Sequence, residues 1–213
     1  VAPHANAVYP LGVRPPDLRL RGELLAILVR QSYLREPGRL FTLASGRQSE
    51  YYIECSLTTT FGPAMPLIGA LVHAEMPADA VAIGGPTMGA DPIAAAVAYH
   101  SAATPHPVSW FSMRRTAKEH GARRWLEGSA RPGDRVVVVE DVITSGGSLL
   151  DAVRKCQEEQ LTVRRAVVLV DREEQGGREA VEQALRPLGA DLITLFTRGA
   201  LERAWQDTHA TAR

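Results

Sequence analysis

The chain has 213 residues, enough for one α/β domain with a full core and short for two. Its 24 lysines and arginines balance 24 aspartates and glutamates, which argues against a general nucleic-acid or membrane-surface role and confines any basic patch to one locality. No apolar run reaches the ~20 residues of a membrane span, and two cysteines, Cys55 and Cys156, lie far apart without metal-ligand spacing, as in a reduced cytoplasmic protein.

Residues 1–16 are rich in prolines and small residues without a basic-then-apolar leader pattern, and read as a loose arm. From Leu18 to Leu34, Leu20, Leu24, Leu25, Ile27 and Leu28 recur at helical spacing, with Arg19, Arg21, Glu23 and Arg30 available to water, so the spacing predicts one amphipathic helix. Pro37-Gly38 ends it. Phe41 to Ala44 and Tyr51 to Glu54 read as two short strands around the turn Ser45-Gly46-Arg47. Residues 18–60 lack a core of their own and are expected to form most of a small N-terminal hood over a single domain spanning 1–213.

Gly62 to Met76 reads as a helix with Pro63 in its first turn. Ala80 to Gly85 is the first parallel strand, Asp91 to Tyr99 an alanine-rich helix, and Pro107 to Phe111 a strand. Beyond a polar segment, the strand Arg135 to Glu140, the helix Gly147 to Glu159, the strand Val163 to Val170, the helix Gly177 to Leu188 and the strand Asp191 to Phe196 complete the pattern. This alternation predicts an α/β fold, a mostly parallel central sheet flanked by helices, with ligands beyond the carboxyl ends of the strands.

Val136 to Val139 put four valines in a row, the mark of a strand buried on both faces. Glu140 and Asp141 follow, then Val142, Ile143, Thr144, Ser145, Gly146, Gly147 and Ser148 lead into the next helix. Two glycines let the backbone approach an anion, the helix N-H groups point at it and the hydroxyls add donors, which fits a phosphate. The carboxylates suit the vicinal hydroxyls of a sugar, or a metal. A ribose 5-phosphate meets both demands; the plainer alternative is a turn capped by Ser145 or Ser148. Upstream, Arg114, Arg115, Lys118, His120, Arg123 and Arg124 concentrate positive charge in a segment without an apolar stripe, which reads as a basic loop.

The strand, acidic pair and Val-Ile-Thr-Ser-Gly-Gly-Ser run resemble the phosphoribosyl-pyrophosphate (PRPP) motif of the type I phosphoribosyltransferases. Arg-x3-Lys-x-His-Gly ahead of it, the hood sequence Phe41 to Tyr52, and Asp171-Arg172 after the next strand are similar to the orotate phosphoribosyltransferase family. The resemblance implies transfer of the phosphoribosyl group of PRPP to orotate, giving orotidine 5'-monophosphate and pyrophosphate in pyrimidine synthesis. It implies that the residues from Glu140 to Ser148 bind PRPP, with Glu140 and Asp141 on the ribose hydroxyls and Thr144 to Ser148 around the 5-phosphate. Arg114, Arg115, Lys118 and His120 correspond to the loop that contacts pyrophosphate and, with Asp141, form the catalytic set. Tyr52, Ile53, Thr144 and Arg172 correspond to the orotate side. A Mg2+ ion carried mainly by PRPP, near Glu140 and Asp141, a homodimer in which the loop acts across the interface, and a cytoplasmic location are further implications, with no nucleic-acid or membrane partner.

The chain departs from the family pattern at two lysines, replaced by Ala44 and by Gly89 in Met88-Gly89. The turn from Thr87 to Pro92 is expected to bind pyrophosphate through backbone N-H groups instead. Two alternatives share the PRPP motif: a transferase for a purine base, and a catalytically inactive PRPP-sensing regulator.

Overall fold

The computed structural model describes residues 17–36, 38–42, 46, 48–116 and 125–210. The expected loose arm, Ala44, Lys118 and His120 lie outside them.

Helix α1 spans Leu18–Gln31, and the Asp17 carboxylate caps it by accepting from the N-H groups of Arg19 and Leu20 at 3.0 and 3.2 Å. It stops three residues before the expected end. Tyr33–Leu34 leave it as strand β1 and pair with β4, Tyr52–Ile53, so that the Tyr33 and Ile53 side chains both enter the core. The hairpin around Gly46 is instead formed by β2, Phe41–Thr42, and β3, Gln48–Ser49, with Gln48 donating to the Thr42 hydroxyl. Short strands thus lie at both expected places, but they pair with other segments and not with each other. Burial of Ile53 against Tyr33 outweighs the local turn, and β4 joins the chain that precedes the hairpin.

A six-stranded sheet follows. Its strands are β5 (Ala82–Pro86), β6 (Ser109–Met113), β7 (Leu126–Gly128), β8 (Arg135–Ile143), β9 (Thr162–Asp171) and β10 (Asp191–Thr197), in the order β10-β9-β8-β5-β6-β7. All neighbours are parallel except β6 and β7, the antiparallel edge pair. The four valines of β8 show why the sheet is covered twice. Val137 and Val139 enter one cluster with Leu24, Leu28, Ile68 and Ile93, while Val136 and Val138 enter another with Leu149, Val153 and Val181. The first face is covered by α1, α3 (Met65–Ala74) and α4 (Ala90–Ser101), the second by α5 (Gly147–Glu158) and α6 (Gly177–Leu185). The short helix α2, Ser56–Thr59, completes the N-terminal region.

One further helix was not evident in the sequence pattern. Helix α7, Arg198–Ala210, buries Leu201 and packs Ala204 and Trp205 against the α1 side of the core. The Arg35 guanidinium sits 5.1 Å over the Trp205 ring and 2.9 Å from Glu202, which fastens the helix to the N-terminal region. Both cysteines are buried packing groups, and burial pushes the Cys156 thiol up to about 12. Among the described residues no helix is long and apolar enough to cross a membrane.

Candidate active site

Strand β8 continues to Ile143, three residues beyond the expected end at Glu140, so both members of the acidic pair lie within it. Glu140 is 5% exposed, and its Oε2 has no hydrogen-bond partner among the described residues. Both carboxylates converge on the turn at Gly89. A Cβ built there would stand 2.6 Å from Asp141 Oδ1 and 2.9 Å from Glu140 Oε1, so no larger residue fits without displacing the pair. Burial, and then the charge of Asp141, pushes the Glu140 carboxyl up to about 8. Burial also raises Asp141, but Glu140 and the Val142 N-H, 2.8 Å away, favour its ionised form. Burial and the neighbouring negative charge thus oppose ionisation of both carboxyls together, most strongly at Glu140.

The turn after β8 ends at Gly146, whose φ of +79° suits glycine and which precedes α5 without a side-chain cap. Neither Ser145 nor Ser148 caps the helix, contrary to the plainer alternative. The first-turn N-H groups of a helix have no partner within it, an arrangement that favours an anion. The turn is held from behind by α6: a Cβ at Gly177 would lie 2.2 Å from the Thr144 carbonyl oxygen. Val142 and Ile143 belong to the strand; the Ile143 side chain is buried, and its carbonyl accepts from the Arg172 N-H at 3.0 Å.

Glu140, Asp141, Ser148, Gly89, Arg114 and Arg115 line one cavity of about 290 Å³, together with Asp151 and Lys155; Tyr52, Thr144 and Arg172 are not among its lining residues. These arginines directly follow β6, and Arg114 lies 2.9 Å from Glu127 at partly exposed positions, a pair of little energetic weight. The turn at Gly89 is closed by a 2.7 Å hydrogen bond from the Thr87 hydroxyl to Asp91. The Thr87 N-H is engaged by the Met113 carbonyl at 3.1 Å and is thereby removed from the donors the turn was expected to offer an anion.

Arg172 follows β9 and is largely buried with Glu174, 3.6 Å away. It is not the solvent-exposed ion pair that a run of charged residues would ordinarily form. Tyr51 carries the ring that faces its guanidinium, at 5.9 Å, and the Tyr51 hydroxyl donates to Glu174. Tyr52 instead stacks on Phe41 at 6.1 Å, and Ile53 is buried in the core. Tyr51 was not singled out as a site residue in the sequence, where Tyr51 and Tyr52 are indistinguishable neighbours.

A mostly parallel sheet with an acidic pair and a glycine turn at the end of its central strand, with arginines lining the same small cavity, defines a phosphoribosyltransferase of the type I class. No family model matches the chain. The orotate phosphoribosyltransferase of Aquifex aeolicus is 42% identical over 183 residues, 84% of this chain and 96% of that protein. A crystal structure of the Mycobacterium tuberculosis H37Rv orotate phosphoribosyltransferase with Fe(III) dicitrate superposes with a TM-score of 0.72 at 34% identity, covering 85% of this chain and 98% of that one. A crystal structure of the same M. tuberculosis enzyme, in complex with PRPP, gives a TM-score of 0.66 at 30% identity over 86% and 92%. The chain belongs to the orotate phosphoribosyltransferase family.

Proposed function

We propose that this protein transfers the phosphoribosyl group of PRPP to orotate, with the donor in the cavity lined by Glu140 and Arg114. Arg172 carries the choice of orotate over a purine base. Its buried guanidinium leaves Nε and Nη2 without a hydrogen-bond partner among the described residues, a planar donor fork matched to a carboxylate-bearing ring. The complex of the M. tuberculosis enzyme with PRPP supports the donor.

In this reading Glu140 and Asp141 accept from the ribose hydroxyls, and the turn from Thr144 to Ser148 surrounds the 5-phosphate. Arg114 and Arg115, with Lys118 and His120, meet the pyrophosphate. As the bond from the anomeric carbon to pyrophosphate breaks, its electron pair leaves with the pyrophosphate, the orotate ring nitrogen forms its bond on the opposite face, and the proton that nitrogen gives up passes to solvent or to the released pyrophosphate. The arginines stabilise the departing charge, and Asp141 the cation-like sugar.

The acidic pair fits a Mg2+ ion that arrives with the donor. Among the described residues no three His, Cys, Asp or Glu gather as a metal site, whereas two carboxylates, one with an unpartnered oxygen, suit a hard cation that takes its remaining ligands from substrate oxygens. When bound, the ion supplies positive charge to the pyrophosphate. Homodimerisation with the basic loop acting across the interface, and a cytoplasmic location, belong to the same proposal and rest on family membership.

Orotate consumption, followed by absorbance with and without Mg2+ and against adenine, guanine and hypoxanthine, tests it. Turnover of orotate alone, dependent on the metal, is expected. Turnover of a purine base but not orotate would overturn the assignment of Arg172, and no turnover of any base would favour a sensing role.

A further inference from the structure

Helix α5 begins at the phosphate turn and carries Asp151 and Lys155 one helical turn apart, with Glu159 as its C-cap a further turn on. Lys155 is 4% exposed, which is unusual for an ammonium group and demands compensation. Its three N-H donors have three acceptors: the carbonyl oxygens of Arg114 and Arg115 at 2.8 and 3.2 Å, and Asp151 Oδ2 at 2.7 Å. The remaining approach is taken by the Trp125 ring, 4.3 Å from Nζ. Glu159 accepts from the Trp125 N-H at 2.8 Å, and the Trp125 carbonyl accepts from the Arg114 N-H at 2.8 Å. One face of α5 thus grips the backbone on both sides of residues 117–124 and at the cavity wall.

We propose that Lys155 is a positioning residue for Arg114 and Arg115 in the phosphoribosyl transfer, an inference that rests on the function proposed above. With all three donors engaged, Lys155 acts as a fixed anchor rather than as a phosphate ligand. It ties the segment that presents the arginines to the same helix whose first turn receives the 5-phosphate. The separation between the two ends of the donor site is then set by α5 as a rigid spacer, a task for which distance matters more than charge. Methionine at 155 keeps the length and the apolar stem but leaves two carbonyls and Asp151 without their shared donor.

The test combines steady-state kinetics with hydrogen exchange on Lys155→Met, Arg115→Ala and the double variant. Lys155→Met is expected to lower kcat/KM for PRPP ten- to a hundredfold and to leave KM for orotate within twofold. If Lys155 acts through the arginines, its effect and that of Arg115→Ala will not multiply in the double variant. Exchange should quicken in segments 109–116 and 125–128 and stay unchanged in 162–171. Multiplicative losses, an unaltered kcat/KM for PRPP, or exchange that quickens everywhere would each overturn the proposal. Should Lys155→Met fail to fold, Asp151→Asn must show the same pattern at smaller amplitude. A wild-type protein inert toward orotate would refute the function while the exchange pattern still decides the anchoring role.

Discussion

The Arg172 guanidinium and the Glu174 carboxylate lie 3.6 Å apart, both largely buried, yet Arg172 Nε and Nη2 and Glu174 Oε2 lack hydrogen-bond partners among the described residues. An ion pair built for stability would close such gaps, because an unsatisfied buried donor costs about 1–3 kcal/mol. Here the guanidinium is held beside Glu174 and the Tyr51 ring, with Nη2 the atom nearest Glu174 and with both Nε and Nη2 buried.

Arg172→Lys should therefore raise KM for orotate roughly ten- to a hundredfold, since a lysine keeps the charge and loses the planar fork. Arg172→Ala should raise it further and leave KM for PRPP within a few-fold. Initial rates across orotate concentration at saturating PRPP measure both, and an unchanged orotate KM in Arg172→Ala would show that orotate binds elsewhere.

Glu140 carries a pH dependence of stability. Its folded-state pKa is raised to about 8 by burial and by Asp141, so the folded protein retains a proton that the unfolded chain releases above the ordinary carboxylate range. Stability from this group is complete at acid pH, below the unfolded pKa, and is lost as pH rises through about 8. Glu140→Gln removes the titration. Relative to wild type, the variant should gain on the order of 1–3 kcal/mol between pH 5 and pH 8.5, visible as a Tm difference that grows with pH. A Tm difference independent of pH would show that Glu140 ionises normally in the fold.

What was legible in the sequence was whatever periodicity or short-range chemistry could express. Val136 to Val139 announced a strand buried on both faces, and Glu140 to Ser148 announced the turn, because consecutive residues carry both signals. The pairing of Ile53 with Tyr33 was not legible, since the local turn at Gly46 competes with a core contact visible only in three dimensions. Helix α7 escaped because its apolar residues, Leu201, Ala204 and Trp205, are few among polar ones and derive their burial from α1. Lys155 was hidden for a related reason. On an amphipathic helix a lysine four residues after an aspartate reads as a solvent-exposed pair, and only the strand end packed above it turns that pair inward.

Gly89 sits where any side chain would meet the acidic pair. Its Cα faces both carboxylates so closely that an added Cβ would meet Asp141 Oδ1 at 2.6 Å. Gly89→Ala should shift the pair, raise KM for PRPP about tenfold and leave KM for orotate nearly unchanged. A larger residue such as leucine should do more. Kinetics with varied PRPP measure this, and wild-type values in Gly89→Leu would mean that the turn takes no part in donor binding.

Donor binding should also move the proton of the acidic pair. Burial and the charge of Asp141 push the Glu140 carboxyl up to about 8, and its Oε2 is unpartnered among the described residues. Ribose hydroxyls that donate to these carboxylates, or a cation beside them, favour the ionised pair and pull the Glu140 pKa down. Binding of PRPP with Mg2+ at pH 7 should then release close to one proton, and the release should diminish above pH 8.5, where the free pair has already lost it. Calorimetric titration in buffers of different ionisation enthalpy counts those protons, and Glu140→Gln should abolish the difference between buffers. Proton uptake on binding, or release that persists undiminished in Glu140→Gln, would remove the acidic pair from the ribose and leave its burial without a ligand to explain it.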